Sequence, residues 1–167
     1  MVVQEAGTNY VPWKIPGGLS NLGENIEEAA IREVKEETGI ACQFHSVLAV
    51  RHTHNIQFGR SDLYFICRLS PITTTSTTTT TTATSSYSQQ PQPQPGEIHD
   101  AQWLPWDKYK EMIQKYNHPM MKLIVQIYEQ GQTHNNVFDI QTTWVNSIVP
   151  GRSPSPVYHA PLLKGLQ

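Results

Sequence analysis

Apolar positions along the chain fall into short blocks whose spacing changes from strand-like to helical and back. Val2-Val3, with Gln4-Glu5, read as the tail of a strand running towards a turn at Pro16-Gly17-Gly18. Ala30, Ile31 and Val34 then share one side of a helix and predict a core-facing stripe, with Glu28 and Lys35 turned to water. Asn25 supplies an N-cap, and Glu28, at the third helical position, is its capping-box partner. Gly39 closes the other end, where a left-handed residue is needed. Beyond it, the stretch 42–53 carries Phe44, Val47, Leu48 and Val50 and predicts a strand. Leu63-Tyr64-Phe65-Ile66-Cys67 is apolar on both faces and predicts a second, central strand, with Gly59-Arg60-Ser61 as the turn between them.

The pattern lapses over residues 73–95, a threonine tract followed by Gln-Gln-Pro-Gln-Pro-Gln-Pro. Such a segment cannot bury apolar surface, and its Pro-Gln end prefers extended polyproline II. It is expected to be a disordered insertion in a surface loop of one domain spanning 1–167, because patterned sequence resumes after it. A short strand is expected over 97–103 and helices over 107–116 and 119–130. The second has Pro119 at its first position and Gly131 past its end. Met120, Met121, Leu123, Ile124 and Ile127 make its core face. Residues 132–167 are expected to form C-terminal strands and a tail, with the strands between Val137 and Ala160 around a Pro-Gly-Arg-Ser-Pro loop. Strands surrounding helices in this order predict an α/β sandwich with a mixed sheet.

Composition narrows the function classes. A net charge of −2 and a pI near 6.4 provide no global attraction to long nucleic acid or to an anionic membrane. No apolar run approaches the roughly 20 residues that cross a bilayer. No basic start followed by an apolar stretch reads as a secretory signal, so a cytoplasmic location is the default expectation. Cys42 and Cys67 lack Cys-x-x-Cys spacing and predict two reduced, buried thiols, not a zinc site or a disulfide framework.

Charge is distributed unevenly. The stretch 24–37 holds six of the chain's fourteen acidic residues against two bases, Arg32 and Lys35. Glu33, Glu36 and Glu37 stand at i, i+3 and i+4, so all three carboxylates project from one helix face. Like charge at that density repels itself unless a cation neutralises it. Hard carboxylate oxygens suit Mg²⁺ or Mn²⁺. Arg32, one turn before Glu36, is placed to orient a carboxylate and lower its pKa. Gly18 lies in the turn upstream, where the missing Cβ lets its carbonyl approach a cation. Glu24 is expected to hold the junction of loop and helix. A metal-binding helix behind a glycine turn suits attack of water on phosphorus, with metals screening phosphate charge. The competing reading is an exposed charged helix without function, since charge runs usually are solvated faces.

Gly18, five residues, Glu24, seven residues, then Arg32-Glu33-Val34-Lys35-Glu36-Glu37-Thr38-Gly39-Ile40 resembles the signature of the Nudix hydrolases. Every specified position of that pattern is filled. The resemblance implies a Nudix-type α/β/α sandwich hydrolysing a nucleoside diphosphate linked to another moiety. It implies Glu36 and Glu37 as main metal ligands, joined by the Gly18 carbonyl. Glu33 would be a third ligand or the base for the attacking water, with Arg32 orienting it, and Glu24 and Gly39 would serve structurally. Many members also use a loop glutamate shortly before an Ala-x-Trp-like strand. Glu97, ahead of Ala101-Gln102-Trp103, fits that place as ligand or base.

The flanks are similar to one Nudix subgroup, which includes plant ADP-ribose/NADH pyrophosphatases and the animal Nudix protein encoded antisense to a growth factor. The residues that carry this likeness are Trp13-Lys14-Ile15-Pro16-Gly17-Gly18, Ser46-Val47-Leu48, Arg51, His52, Ser61 to Cys67 and Trp103. It implies ADP-ribose or NADH as substrate and AMP as product. Dinucleoside polyphosphates, coenzyme A, FAD and an RNA cap remain alternatives, as does a non-catalytic Nudix-fold regulator; that last reading predicts loss of a box glutamate, and none is lost. Arg51 is a candidate pyrophosphate clamp or a plain strand arginine. His52 is a candidate substrate contact that shares a strand face with His54, against ordinary strand-end roles for both. Trp13, Tyr64, Trp103 and Trp106 are candidates for stacking on adenine or for core packing. Family members normally have a strand and a half before the Pro-Gly-Gly turn, so the sheet is expected to lack its first strand unless another segment replaces it. Homodimers built on such strands are frequent in the family, which makes a homodimer one assembly open to this chain.

Overall fold

A computed structural model of the chain describes residues 1–7, 13–54, 59–72, 89–117, 119–134, 139–145 and 155–159. The elements run β1 (Val2–Glu5), α1 (Ile26–Thr38), β2 (Cys42–Thr53), β3 (Asp62–Pro71), β4 (Ile98–Gln102), α2 (Trp106–Tyr116), α3 (Pro119–Thr133), β5 (Gln141–Val145) and β6 (Ser155–His159). The fold is α/β, as the order of elements predicts. The described registers, β1 with β4 and β5 with β6, are antiparallel, and β2 pairs with β3. The threonine tract through residue 88 and the Pro-Gly-Arg-Ser-Pro loop lie outside the described residues. Among the described residues no helix is long and apolar enough to cross a membrane.

The chain divides into two compact units. The first comprises Met1–Phe44 and Leu69–Tyr109. Val2 and Val3 are almost completely buried, and Val3 packs with Ile98 and Ala101. On its other edge Val3 exchanges both backbone hydrogen bonds with Lys14, at 2.8 and 2.9 Å. β1 therefore has a neighbour on each side, β4 and the short stretch at Lys14, which leaves its buried edge with few unsatisfied groups.

Helix α1 forms where its signals place it. Glu28 accepts from the Asn25 N–H at 2.9 Å, closing the capping box from the carboxylate side. Gly39 adopts φ 71° and donates its N–H to the Lys35 carbonyl at 2.8 Å. One expectation for its faces is corrected. Ala30, Ile31 and Val34 are only partly covered, and Ile31 lines an open depression with Glu24, Arg32, Lys35 and Glu36. The residues buried on α1 are Glu37 and Thr38. The Thr38 hydroxyl satisfies itself on the Val34 carbonyl at 2.6 Å; Glu37 belongs to the site described below.

The Gln-Pro end of the insertion is not a free segment. Gln92 N–H donates to the Thr38 carbonyl at 2.8 Å and Gln94 N–H to the Glu37 carbonyl at 3.3 Å. Trp103 Nε1 donates to the Gln89 carbonyl, and Gln89 Nε2 to the Ile72 carbonyl, each at 3.0 Å. Disorder across all of 73–95 was expected from composition, because a segment without apolar side chains buries little. Backbone hydrogen bonds hold this end instead.

The second unit comprises His45–Arg68 and Lys110–Gln167. Among its described residues Val47, Ile66, Ile113 and Val125 are buried and apolar. Val47 and Ile140 bridge antiparallel, and beside that bridge Asp139, 2% exposed, accepts from the buried Ser46 hydroxyl and from Arg68 Nε at 2.8 Å. β5 and β6 form the C-terminal hairpin, with Gln141 opposite His159 and Val145 opposite Ser155. α3 departs from its predicted end: it continues to Thr133, and Gly131 is a buried helical position, not a cap. On the predicted core face of α3, Leu123 is 54% exposed, while Val125 is the buried aliphatic residue. Leu63 is also largely exposed, so β3 is not covered on both faces along its whole length.

Candidate active site

Three carboxylates, Glu24 ahead of α1 and Glu33 and Glu36 on it, are organised around one guanidinium. Arg32 donates from Nε and Nη2 to the two oxygens of Glu24, at 2.7 and 2.8 Å, a bidentate pair. Nη2 also donates to the Leu19 carbonyl at 2.9 Å. Nη1 bridges the other two carboxylates, reaching Glu33 at 2.8 Å and Glu36 at 2.9 Å. Glu24 further accepts the Asn21 N–H at 2.8 Å. The expected junction role of Glu24 thus has a geometry: it anchors the arginine, and the arginine ties the loop after Gly18 to α1. Arg32's hydrogen bonds, with that of Asn21, pull the Glu24 carboxyl down to about 2. The same bonds raise the Arg32 guanidinium above its ordinary value.

Glu37 is handled separately. Its side chain is 3% exposed, accepts the Gly17 N–H at 2.9 Å and lies 3.6 Å from Lys14 Nζ, which also pairs with Glu5. Burial raises the Glu37 carboxyl; Lys14 and the Gly17 N–H oppose that rise, while the charges of Glu33 and Glu97 add to it. Glu97 therefore belongs to the electrostatic environment of α1. It sits in the turn entering β4, where its carbonyl accepts the Ala6 N–H at 2.8 Å. Lys14 and the Gly17 N–H were not singled out as site residues from the sequence. Their signal was adjacency to the Gly-Gly turn, but only the pairing of Lys14 with Val3 turns them towards Glu37.

The missing side chain of Gly18 also has a steric consequence. A Cβ at this position would lie 2.5 Å from Glu33 Oε2 and 2.6 Å from Oε1 and Cδ. The missing side chain makes room for the Glu33 carboxylate itself, seating it against the turn. Gly18, Arg32, Glu33, Glu36, Glu37 and Glu97 are thus gathered in one unit, with Glu24 and Gly39 in supporting positions.

Among the described residues no three His, Cys, Asp or Glu side chains converge as a ready cation cage. The carboxylates are turned to the protein's own cations: Arg32 takes Glu33 and Glu36, while Lys14 takes Glu37. The charge balance still favours a divalent ion. Among the described residues Glu24, Glu33 and Glu36 share the single charge of Arg32, Glu5 and Glu37 share that of Lys14, and burial opposes the charged form of Glu37. An all-oxygen donor set with surplus negative charge fits a hard cation.

Arg51 and His52 belong to the second unit. Arg51 lies over the Tyr64 ring, 5.0 Å from its centroid, with Asp62 at 3.8 Å and the Met120 sulfur at 3.5 Å. His52 lies in β2 and His54 just past its end, so the two do not share a strand face; their rings are 4.1 Å apart, and His54 Nδ1 is 2.8 Å from the Ser61 hydroxyl. Of the candidate stacking aromatics, Trp103 donates its indole N–H to the Gln89 carbonyl and Trp106 stacks on Tyr109 at 5.6 Å.

The sequence has counterparts among known proteins. Nudix hydrolase 2 of Arabidopsis thaliana is 37% identical over 130 residues, which cover 76% of this chain and 41% of that protein. Nucleoside diphosphate-linked moiety X motif 6 of Xenopus laevis is 52% identical over 77 residues, 45% of this chain and 36% of that protein. Nudix hydrolase 8 of Arabidopsis thaliana is 35% identical over 122 residues, 73% and 29% respectively. The chain thus spans less than half the length of these curated relatives. The NUDIX domain model matches residues 1–124, which takes in β1, α1 with its carboxylates and the Glu97 turn. With the full acidic box assembled around Arg32 and Gly18, the chain belongs to the Nudix hydrolase family.

Proposed function

We propose that the chain is a Mg²⁺- or Mn²⁺-dependent pyrophosphohydrolase of nucleoside diphosphate derivatives, with ADP-ribose and NADH as substrates. The observation that carries it is the presentation of Glu33, Glu36 and Glu37 from one face of α1, with Glu33 seated on Gly18. Glu33, Glu36, Glu37, the Gly18 carbonyl and Glu97 would hold the metal. Once bound, it screens diphosphate charge and makes water a better nucleophile. Water attacks one phosphorus and the bridging P–O bond breaks. ADP-ribose then yields AMP and ribose 5-phosphate, and NADH yields AMP and reduced nicotinamide mononucleotide. Glu33 or Glu97 takes the proton of the attacking water, and Arg32 fixes Glu33 for that transfer. Arg51 and His52 contribute to substrate binding. The name of the Xenopus laevis relative, which refers to a nucleoside diphosphate-linked moiety, and the flanking residues from Trp13 to Gly18 support the substrate class.

The test is AMP release from ADP-ribose and from NADH, with and without Mg²⁺ or Mn²⁺, beside Glu36→Gln. Metal-dependent AMP that disappears in the variant is expected. A cooperatively melting chain that releases no AMP from either substrate refutes the assignment and directs the search to dinucleoside polyphosphates, coenzyme A, FAD and RNA caps.

A further inference from the structure

The last four carbonyls of a helix lack intrahelical partners, and here the last two residues of α1, Glu37 and Thr38, are buried. Thr38 is 0% and Glu37 3% exposed, so water is a poor source of donors for their carbonyls. The donors come from the far end of the low-complexity insertion: Gln92 N–H on Thr38 and Gln94 N–H on Glu37. The sequence there, Pro91-Gln92-Pro93-Gln94-Pro95, matches this task. Prolines fix an extended backbone and have no N–H, so donors remain only at every second residue, all of them glutamines. Gln92 Cβ also rests 3.4 Å from where a Cβ of Gly39 would be, which packs the segment over the helix end. Gln89 pins its start to Ile72 and Trp103, and Glu97 follows at its other end, its N–H donating to the Gln94 carbonyl at 3.3 Å.

We infer that the Gln89–Pro95 segment is a strap that caps α1 and positions the carboxylates of its last turn, with Gln92 and Gln94 acting through their backbone amides. The strap holds Glu37 by its own carbonyl and sets the place of Glu97 through Gln94. The positioning role rests on the metal-ligand reading of Glu37 given above, whereas the capping role does not. A segment whose composition suggests an inert spacer thereby becomes part of the site's scaffold.

Proline substitution isolates the donors. Gln92→Pro and Gln94→Pro suit a backbone already held extended by its neighbours, yet each removes one N–H and points a ring methylene at the accepting carbonyl. Gln92→Ala and Gln94→Ala keep the amide and remove only the side chain. Two readouts apply to all four variants: hydrogen exchange of the backbone amides over residues 35–40, and Mn²⁺ binding followed by the electron paramagnetic resonance of the free ion. Loss of one hydrogen bond should accelerate exchange roughly tenfold in the proline variants and raise the half-saturating Mn²⁺ concentration by a similar factor, with the alanine variants near wild type. Proline variants that match wild type in exchange overturn the inference, as do alanine variants that lose as much as the prolines. If Gln92→Pro fails to melt cooperatively, Gln94→Pro decides, since its bond is the longer one. A wild-type chain that takes up no Mn²⁺ sinks the metal reading and the positioning role with it, and exchange alone then decides the cap.

Discussion

Gly18→Ala is the sharpest probe of how the site is built. Gly18 is not among the glycines with positive φ, so alanine brings no backbone strain. Its only cost is the added methyl, which would sit 2.5 Å from Glu33 Oε2, where ordinary contact begins at 3.4 Å. The carboxylate must retreat by about 0.9 Å, and it is the free end of a flexible side chain, so the retreat is cheap. Stability should therefore change little, and the melting temperature should stay within a few degrees of wild type. Activity should not survive in the same way. Glu33 is bonded to Arg32, which also holds Glu36, so a displaced Glu33 disturbs both. Misplacing a reacting group by about 1 Å costs on the order of a hundredfold in rate. The assay is AMP release at saturating substrate and Mn²⁺, alongside a thermal melt of the same preparation. Activity within about threefold of wild type would refute the placement of Glu33 at the reacting centre, since so small a change is far below the expected loss. A large fall in melting temperature would show instead that the Gly18 turn tolerates no side chain for backbone reasons.

Three further outcomes follow from the packing. Asp139→Asn removes the buried charge that the partly exposed Arg68 and the Ser46 hydroxyl both donate to, and chemical denaturation should register a loss of about 2 kcal/mol, the scale of hydrogen bonds to a charged group. Burial pushes the Cys67 thiol up to about 11 from the usual 9.0. A raised native value means the folded state holds its proton more tightly, so this contribution to stability is complete below pH 9 and is lost as pH rises towards 11. Denaturation midpoints of wild type and Cys67→Ser across that range should converge as pH rises, and alkylation of Cys67 at pH 8 should be slow until the chain is unfolded. Replacing residues 73–88 by a short Gly-Ser linker should leave the melting temperature nearly unchanged. Gln89 already reaches back to Ile72, so closure of the long loop contributes only a slowly varying entropy.

Local chemistry determined what was legible in the chain itself. Asn25, Glu28 and Gly39 mark the two ends of α1, and the structure places the helix between them, because capping depends on residues a few positions apart. The i, i+3, i+4 spacing of Glu33, Glu36 and Glu37 sets their common face by helix geometry alone. β1, β2 and the two later helices were likewise predicted within a residue or two at most ends. The exceptions show where local signals stop. Gly131 has the composition of a helix stop, yet it is a buried position within α3. Leu123 has the pattern of a core residue and remains exposed. Gln92 and Gln94 carry no apolar surface and still pack, since their amides meet carbonyls more than fifty residues away in sequence.

The site divides in the same way. The sequence by itself determined which carboxylates share a helix face and that an arginine and a glycine stand near them. Tertiary structure alone decided how each is held: Arg32 between Glu24, Glu33 and Glu36, Glu37 against Gly17 and Lys14, and Glu33 in the space that Gly18 leaves open. Spacing along a helix is a property of the backbone and can be read from one dimension. Burial, charge partners and steric room depend on segments that meet only once the chain has folded.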